Sequence, residues 1–296
     1  MNNYKLLFEP ITYPIEYTSD EEVRAVFKGD RKNRKCAYCG KGNGEVTFKK
    51  DAHIIPASLG NRVFYNYDEC DHCNEYYFGV QENELANFLM LDRIFIGAKK
   101  RKGLPKYKPI SKGTTSIERV GNSNTVSMKI DDLEERFEIV DDEPNKQMVF
   151  KINKPLPYRP ADICKALTHM IWPFLPEEKK NILEHIPKWL LRENDIFPLH
   201  LDIAFVPGNG YSNVILECWE SDSPEYPFIV RFTFGLKILS FYIPSSTDVS
   251  VKPDRHIDYF QIPEDIEIEG EGMSILNNDR LKPGFLSYTI NYSKKE

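Results

Sequence analysis

Cys36-Ala37-Tyr38-Cys39 and Cys70-Asp71-His72-Cys73 decide how this chain is read. Each is a pair of thiols two residues apart, and thirty residues separate the pairs. Four thiolates delivered from two tight turns match a tetrahedral Zn2+ closed by protein ligands alone, a geometry that leaves no coordination position for substrate. Zinc on Cys36, Cys39, Cys70 and Cys73 is therefore expected to be structural, contributing folding free energy to a segment too small for a core of its own. The spacing also admits an iron-bound or redox tetracysteine site. His72 reads as an outward-pointing spacer, with substitution for a thiolate as the alternative.

Working outward, the bulk properties set the frame. The 296 residues are 41% hydrophobic and 12% aromatic, enough for one large or two modest cores. No apolar run approaches the roughly 20 residues of a membrane span, and the opening MNNYKLLFEPITYP lacks the basic-then-apolar layout of a signal peptide. The expectation is a cytoplasmic protein with no membrane partner, where six cysteines suit metal better than disulfides. The net charge of −6 hides an uneven distribution. From Lys28 to Asp51 there are eight basic residues against three acids, and seven more from Lys99 to Lys112 with no acid between Gly97 and Ser116. From Asn213 onward, fourteen acids face eight bases. Positive charge thus brackets the cysteine-rich segment, as suits a chain with one phosphate-facing end.

Local patterns divide the rest. In SDEEVRAVFKG, residues 19–29, Ser19 or Asp20 caps an expected short helix that Gly29 ends. ENELANFLMLDRIF sets Leu85, Phe88, Leu89 and Phe95 at helical spacing, predicting a helix packed on the finger. Short alternating stretches such as NTVSMKI and ERFEIV, set off by Gly113, Gly121 and the GNSN turn, read as an inserted hairpin or small sheet. PLPYRP, 155–160, is a stiff boundary. ADICKALTHMIWPFL and EEKKNILEHIPKWLLREN then predict helices, the second bent or split by Pro187. HLDIAFVP, NVILECWES, PFIVRFTFG, LKILSFYIP, HIDYFQIP and FLSYTINY are β-branched and aromatic runs that predict strands. The fold class expected is α+β: a zinc-stapled finger region over 1–105, the inserted sheet over 106–154, and an α+β domain with a mainly antiparallel sheet over 155–296.

The thirty residues between the knuckles carry further information. Asp51-Ala52-His53-Ile54-Ile55-Pro56 leads into Ser58-Leu59-Gly60-Asn61, then Asn66 stands four residues before Cys70, and Asn74 directly follows Cys73. C-x2-C, then AHIIP-x-SLG, then N-x3-C-x2-CN-x3-FG resembles the HNH endonuclease family, in its zinc-bound branch with paired knuckles and a ββα-metal finger. The resemblance covers about residues 35–80. It implies that His53 is the base that activates water, a role suited to an imidazole with an ordinary pKa of about 6.5. Asn66 corresponds to the middle asparagine, orienting the histidine or pinning the loop, with Asn61 as runner-up. Asn74 takes the last family position and offers an oxygen to a catalytic Mg2+ or Mn2+. Many members carry an acid or histidine directly before the catalytic histidine, and here that residue is Ala52. Asp51 and Asp68 are the substitutes as second metal ligand.

These readings imply a metal-dependent endonuclease acting on DNA with weak or no sequence specificity, the basic runs holding phosphates on either side of the finger. By analogy with restriction or phage-defence effectors, the C-terminal domain would recognise a target, a protein partner or a signal. The alternative is a non-catalytic zinc module that binds nucleic acid or protein. His169, His185, His200 and His256 have no partner spacing, Cys164 and Cys218 read as buried small hydrophobes, and Trp172, Trp189 and Trp219 read as core. No dimer seam is legible.

Overall fold

The computed structural model describes residues 4–15, 24–99, 103–108, 115–121, 125–129, 137–153, 155–206, 211–249, 252–253, 269–282 and 286–291. The HIDYFQIP strand, His256, Lys112 and the run Lys100–Lys102 fall outside them. The architecture is mixed α+β with largely antiparallel sheets, as expected.

The main sheet has seven strands: β1 (Lys5–Leu6), β2 (Ile11–Pro14), β11 (Leu199–Phe205), β12 (Tyr211–Glu220), β13 (Phe228–Gly235), β14 (Lys237–Ile243) and β15 (Glu269–Ile275). Every pairing within it is antiparallel. β13 and β14 are buried along their whole length, their polar residues Arg231, Thr233, Lys237 and Ser240 included. Two strands of this sheet come from the first fourteen residues, since β2 lies against β12 with Ile11 opposite Leu216 and Tyr13 opposite Val214.

The inserted region is two small sheets. One joins β6 (Lys106–Tyr107), β7 (Ser116–Arg119) and β8 (Val126–Lys129). In the other, β9 (Phe137–Asp142) and β10 (Gln147–Ile152) form a hairpin, and β16 (Leu286–Asn291) adds to β10 from the far end of the chain. Strand pairing therefore crosses both junctions expected at 105 and 155.

The finger region contains β3 (Val26–Lys28), β4 (Ala52–His53) and β5 (Phe64–Asn66), followed by a π-helical turn at Cys73–Phe78 that runs into α1 (Gly79–Phe88) and α2 (Met90–Phe95). β4 and β5 are antiparallel, and β3 joins β5 in parallel. The helix expected over 19–29 is thus corrected at its end: Val26–Lys28 is a strand. VFK is β-branched and aromatic, and its pairing to β5 outweighs the weak amphipathic signal of the residues before it.

α3 (Pro160–Ile171) starts with proline in its first turn, where the missing N–H costs nothing. All twelve of its residues are buried, because it lies between α1 and the main sheet. Its N-terminus has no side-chain cap of its own, and the Glu84 carboxylate of α1 accepts the Arg159 N–H at 3.1 Å instead. α4 (Glu177–Ile182) and α5 (Ile186–Leu190) follow, with Pro187 in the first turn of α5. The predicted split at this proline is present because a proline is tolerated there and nowhere later in a helix. One apolar cluster runs without interruption from Cys36, Ile54 and Phe78 through Ile163 and Leu167 to Leu216 and Phe232. The knuckles and the main sheet share this core.

Candidate metal centre and HNH site

Two turns build the thiol cluster. In the first, the Cys36 carbonyl accepts the Gly40 N–H at 2.9 Å and the Cys36 N–H donates to Lys41 at 2.9 Å. Gly40 sits at φ 71°, a left-handed conformation that glycine adopts without a Cβ clash. In the second, the Asn74 N–H donates to the Cys70 carbonyl at 3.0 Å and the Cys73 N–H points at the Cys70 sulfur at 3.5 Å. The Ala37 N–H to Asp68 carbonyl bond, 2.8 Å, clips the turns together.

The four sulfurs of Cys36, Cys39, Cys70 and Cys73 lie within 4.8 Å of one another, with Cys39 and Cys70 at 3.9 Å. Zn–S bonds of about 2.3 Å in a tetrahedron place sulfurs about 3.8 Å apart, so the cluster has the dimensions of a closed Zn2+ site. None of the four is in a disulfide. Left to each other, a hydrogen bond from Cys73 pulls Cys36 down to about 4 and burial pushes Cys70 up to about 11. Cys73 is raised as well, by its hydrogen bond to Cys36. Four thiolates so close together require a cation to coexist. His72 is exposed and stacks on Tyr76 at 5.4 Å, outside the cluster.

His53 stands on β4 opposite Tyr65, with ring centroids 4.7 Å apart. The neighbouring pair, Ala52 opposite Asn66, projects to the other face. There Ala52 and Asn66 are buried, 1% and 3% exposed. This alternation bears on Asn66, expected to orient the histidine or pin the loop. Its side chain faces away from His53, and its oxygen accepts the Asp68 N–H at 3.0 Å in a local turn. Asn61 does the pinning: its Nδ2 donates to the Ile55 carbonyl at 2.7 Å and the Phe64 carbonyl at 3.0 Å, and its Oδ1 accepts the Val63 and Phe64 N–H groups at 2.9 Å each. Four bonds from one buried side chain fix the connection between the histidine's strand and the strand beside it.

Asp71, which sequence reasoning passed over, anchors the approach to β4. It accepts the Thr47 hydroxyl and the Lys49 and Lys50 N–H groups, the latter two at 3.0 and 2.9 Å. Burial works against its charge, and these bonds prevail to hold its pKa below the usual carboxylate value. Lys50 also pairs with Glu75. The turn carrying Asn74 is thereby docked against the chain leading into β4. Asp51 is exposed immediately before β4. Asp68 is committed elsewhere: it accepts the Asp30 N–H at 3.1 Å and fills the space beside Gly29, where a Cβ would come within 2.4 Å of its carboxyl carbon. Burial raises its pKa. Among the described residues, the four cysteines are the one group of three or more His, Cys, Asp or Glu side chains with ligand atoms gathered at metal-binding distance.

His169, read as isolated, has a partner. Its Nε2 lies 2.9 Å from the Glu69 carboxylate, and both side chains are buried, 1% and 0% exposed. Burial alone would lower its pKa, and the Glu69 charge and hydrogen bond more than offset this, so it lies above the ordinary histidine value. The ring stacks on Phe78 at 3.9 Å and approaches Tyr38 at 5.3 Å. α3 is thus bound to both knuckles. The partners are a hundred positions apart, and no sequence spacing announces such a pair.

The site therefore belongs to the class of thiol-clustered modules in which a half-buried strand histidine follows the first knuckle and a helix follows the second. Residues 36–86 match the family model of the HNH endonucleases, and this segment carries an HNH endonuclease domain whose four-cysteine cluster is compatible with zinc. Such a domain points to nuclease activity on nucleic acid with a divalent metal. Comparison with curated proteins and with solved structures gives no match.

Proposed function

We propose that this chain is a metal-dependent endonuclease that hydrolyses phosphodiester bonds in DNA, with β4, β5 and the helix after Cys73 forming a ββα-metal finger. The observation that carries the reading is the placement of His53: it stands half-buried on the face of the strand pair opposite Ala52 and Asn66, between segments that Asn61 and Asp71 hold. Zinc on the four cysteines takes no part in the chemistry. His53 accepts the proton of the attacking water, a task for which geometry matters before pKa. Asp51 and Asn74 offer hard oxygen donors suited to Mg2+ or Mn2+. When bound, that ion supplies charge stabilisation at the scissile phosphate. Asn61 acts on His53 only through the loop it pins. The basic residues of 28–50 hold phosphates without reading bases, and the sheet-bearing remainder serves as the recognition or regulatory part of a restriction or phage-defence effector.

A second reading has an observation in its favour. Ala52 is packed into the core against Asn66, so the position where many members carry a metal ligand is apolar and buried. A zinc module that binds nucleic acid without cutting it would look like this. Plasmid cleavage with Mg2+ or Mn2+ separates the two. The nuclease reading expects nicking by the zinc-loaded protein and its loss in His53→Ala. Absence of cutting by the wild type under every divalent metal sinks that reading, and equal cutting by the variant sinks the assignment of His53.

A further inference from the structure

The small sheet of the finger carries a column of rings on the face of His53. Phe27 on β3 is opposite Tyr65 on β5, and Tyr65 is opposite His53 on β4. Opposed positions share a face, and Tyr67, two residues beyond Tyr65, returns to it. His53 meets Tyr65 at 4.7 Å, Tyr65 meets Phe27 at 5.1 Å and 23°, and Phe27 stacks on Tyr67 at 4.5 Å and 9°. The Arg34 guanidinium ends the column 4.6 Å over Tyr67, and its Nη1 donates to the Phe48 carbonyl at 2.6 Å. Backbone bonds on both sides of β3 hold the strands beneath: the Val26 N–H donates to the Val63 carbonyl at 2.7 Å and the Tyr67 N–H to the Lys28 carbonyl at 2.8 Å.

These rings cover one another, so what the column offers is a fixed orientation at its end. β4 is two residues long and β5 three, a short ladder on which to fix a side chain. The χ2 torsion of a histidine is broad and roughly two-fold, whereas a general base has to keep its nitrogen within hydrogen-bond reach of the attacking water. Aromatic pairs have preferred separations and tilts, so a ring packed on a ring passes its orientation along. Burial gives a weak reason for Phe27 itself. It is 39% exposed on a three-residue strand, where an outward position is ordinarily polar. Phe27 also precedes residues 36–86, the segment that matches the family model.

We propose that Phe27, Tyr65 and Tyr67 brace the imidazole of His53, which makes Phe27, supplied from outside the matched segment, a positioning residue for the base. Tyr65 restricts the His53 ring, Phe27 and Tyr67 restrict Tyr65, and Arg34 anchors the column two residues before Cys36. This inference rests on the nuclease reading for the role of His53, and its first test is a spectroscopic measurement that does not depend on cutting.

The probe is the zinc-loaded full chain carrying carbon-13 at the histidine Cε1 positions, observed by NMR, with His53→Ala identifying the His53 signal. Phe27→Leu keeps apolar bulk in the sheet, removes the ring and leaves Tyr65 between the change and His53. It should shift and broaden the His53 signal and leave those of the buried His169 and His200 in place, and Phe27→Tyr should restore it. In plasmid cleavage with Mg2+ or Mn2+, Phe27→Leu should lower kcat roughly 10- to 100-fold, the scale of a small misplacement of a reacting group, with KM unchanged. Should that variant fail to fold, Tyr67→Leu, one ring further away, should shift the same signal by less. An unmoved His53 signal in the folded variant, or a kcat equal to that of a cutting wild type, overturns the brace and leaves the rings as a clamp between β3 and β5. A protein whose His53 signal responds but whose wild type cuts nothing retains the brace and loses the nuclease, and one that cuts while its His53 signal ignores both leucine variants retains the nuclease and loses the brace.

Discussion

Replacing Asn61 by alanine should be among the most damaging single changes in the finger that spare every thiol. The side chain holds four backbone groups, and one of them, the Phe64 carbonyl, keeps a second partner in the Ile54 N–H at 3.1 Å. The Ile55 carbonyl and the Val63 and Phe64 N–H groups lose a buried or half-buried partner. At about 1 kcal/mol for each, the loss is about 3 kcal/mol, which for a chain of this size lowers the melting temperature by roughly 6–12 °C. Asn61→Asp keeps the accepting oxygen and loses the donating nitrogen, so it should fall between alanine and wild type at pH 7. Asn66→Ala removes a single bond to the Asp68 N–H and should cost about 1 kcal/mol. The assay is thermal unfolding of zinc-loaded proteins at fixed zinc concentration, followed by plasmid cleavage well below each transition. Cleavage should drop in Asn61→Ala even where the protein is folded, because the segment between β4 and β5 is no longer fixed. An Asn61→Ala protein that melts with the wild type, or an Asn66→Ala protein that is hurt more, refutes the assignment of the pinning role.

The thiol cluster and two buried lysines carry three further expectations. Cys70→Ser, or chelation of zinc from the wild type, should lower the melting temperature by 10 °C or more, on the order of the several kcal/mol that a structural ion contributes; an unchanged melt contradicts the structural zinc. Lys237 is buried with Asp92, and Tyr288 donates and accepts beside them at 3.3 and 2.8 Å. Lys237→Met should cost about 3–5 kcal/mol by stranding the Asp92 charge, and adding Asp92→Leu should recover most of it; a double variant no better than the single in denaturant titration refutes this. Lys165 on α3 is held down to about 8 by burial. Its folded pKa is below the unfolded value, so the penalty is full below about pH 8 and fades as pH rises toward the unfolded value of about 10.4. Lys165→Met should stabilise the protein by about 2–3 kcal/mol at pH 7, with the gain shrinking by pH 10. A gain independent of pH in melts would show that the charge is not the cause.

What sequence could reveal here follows the reach of each interaction. The thiol pairs and the AHIIP stretch are local patterns, each set within a few residues, and both were readable. The strands of the main sheet were readable because Val, Ile and aromatic residues crowd into them. Partners could not be read. Nothing in Ile11–Pro14 announces β12, two hundred positions away, and nothing in β16 announces β10. Asn61 and Asn66 are the same residue type, and only the register of β4 against β5, which turns Asn66 from His53, and the folded path of the loop that buries Asn61 separate them. Val26–Lys28 misled in the opposite way, since the polar residues before it suggested a helix and a parallel neighbour made it a strand. Glu69 and His169 belong to segments with unrelated patterns and meet only because α3 crosses behind the knuckles.

With zinc on the four cysteines, that crossing helix would carry the ion's influence beyond its four ligands. α3 takes its N-terminal partner from Glu84 on α1 and its buried counter-charge from Glu69 beside the second knuckle, so opening of that knuckle would strip His169 of its partner. The knuckles, α1 and α3 are then expected to form one cooperative unit in hydrogen exchange, with amides of α3 gaining and losing protection together with those beside Cys70. Occupancy of the four cysteines would then be expected to govern the persistence of a helix that contains no zinc ligand.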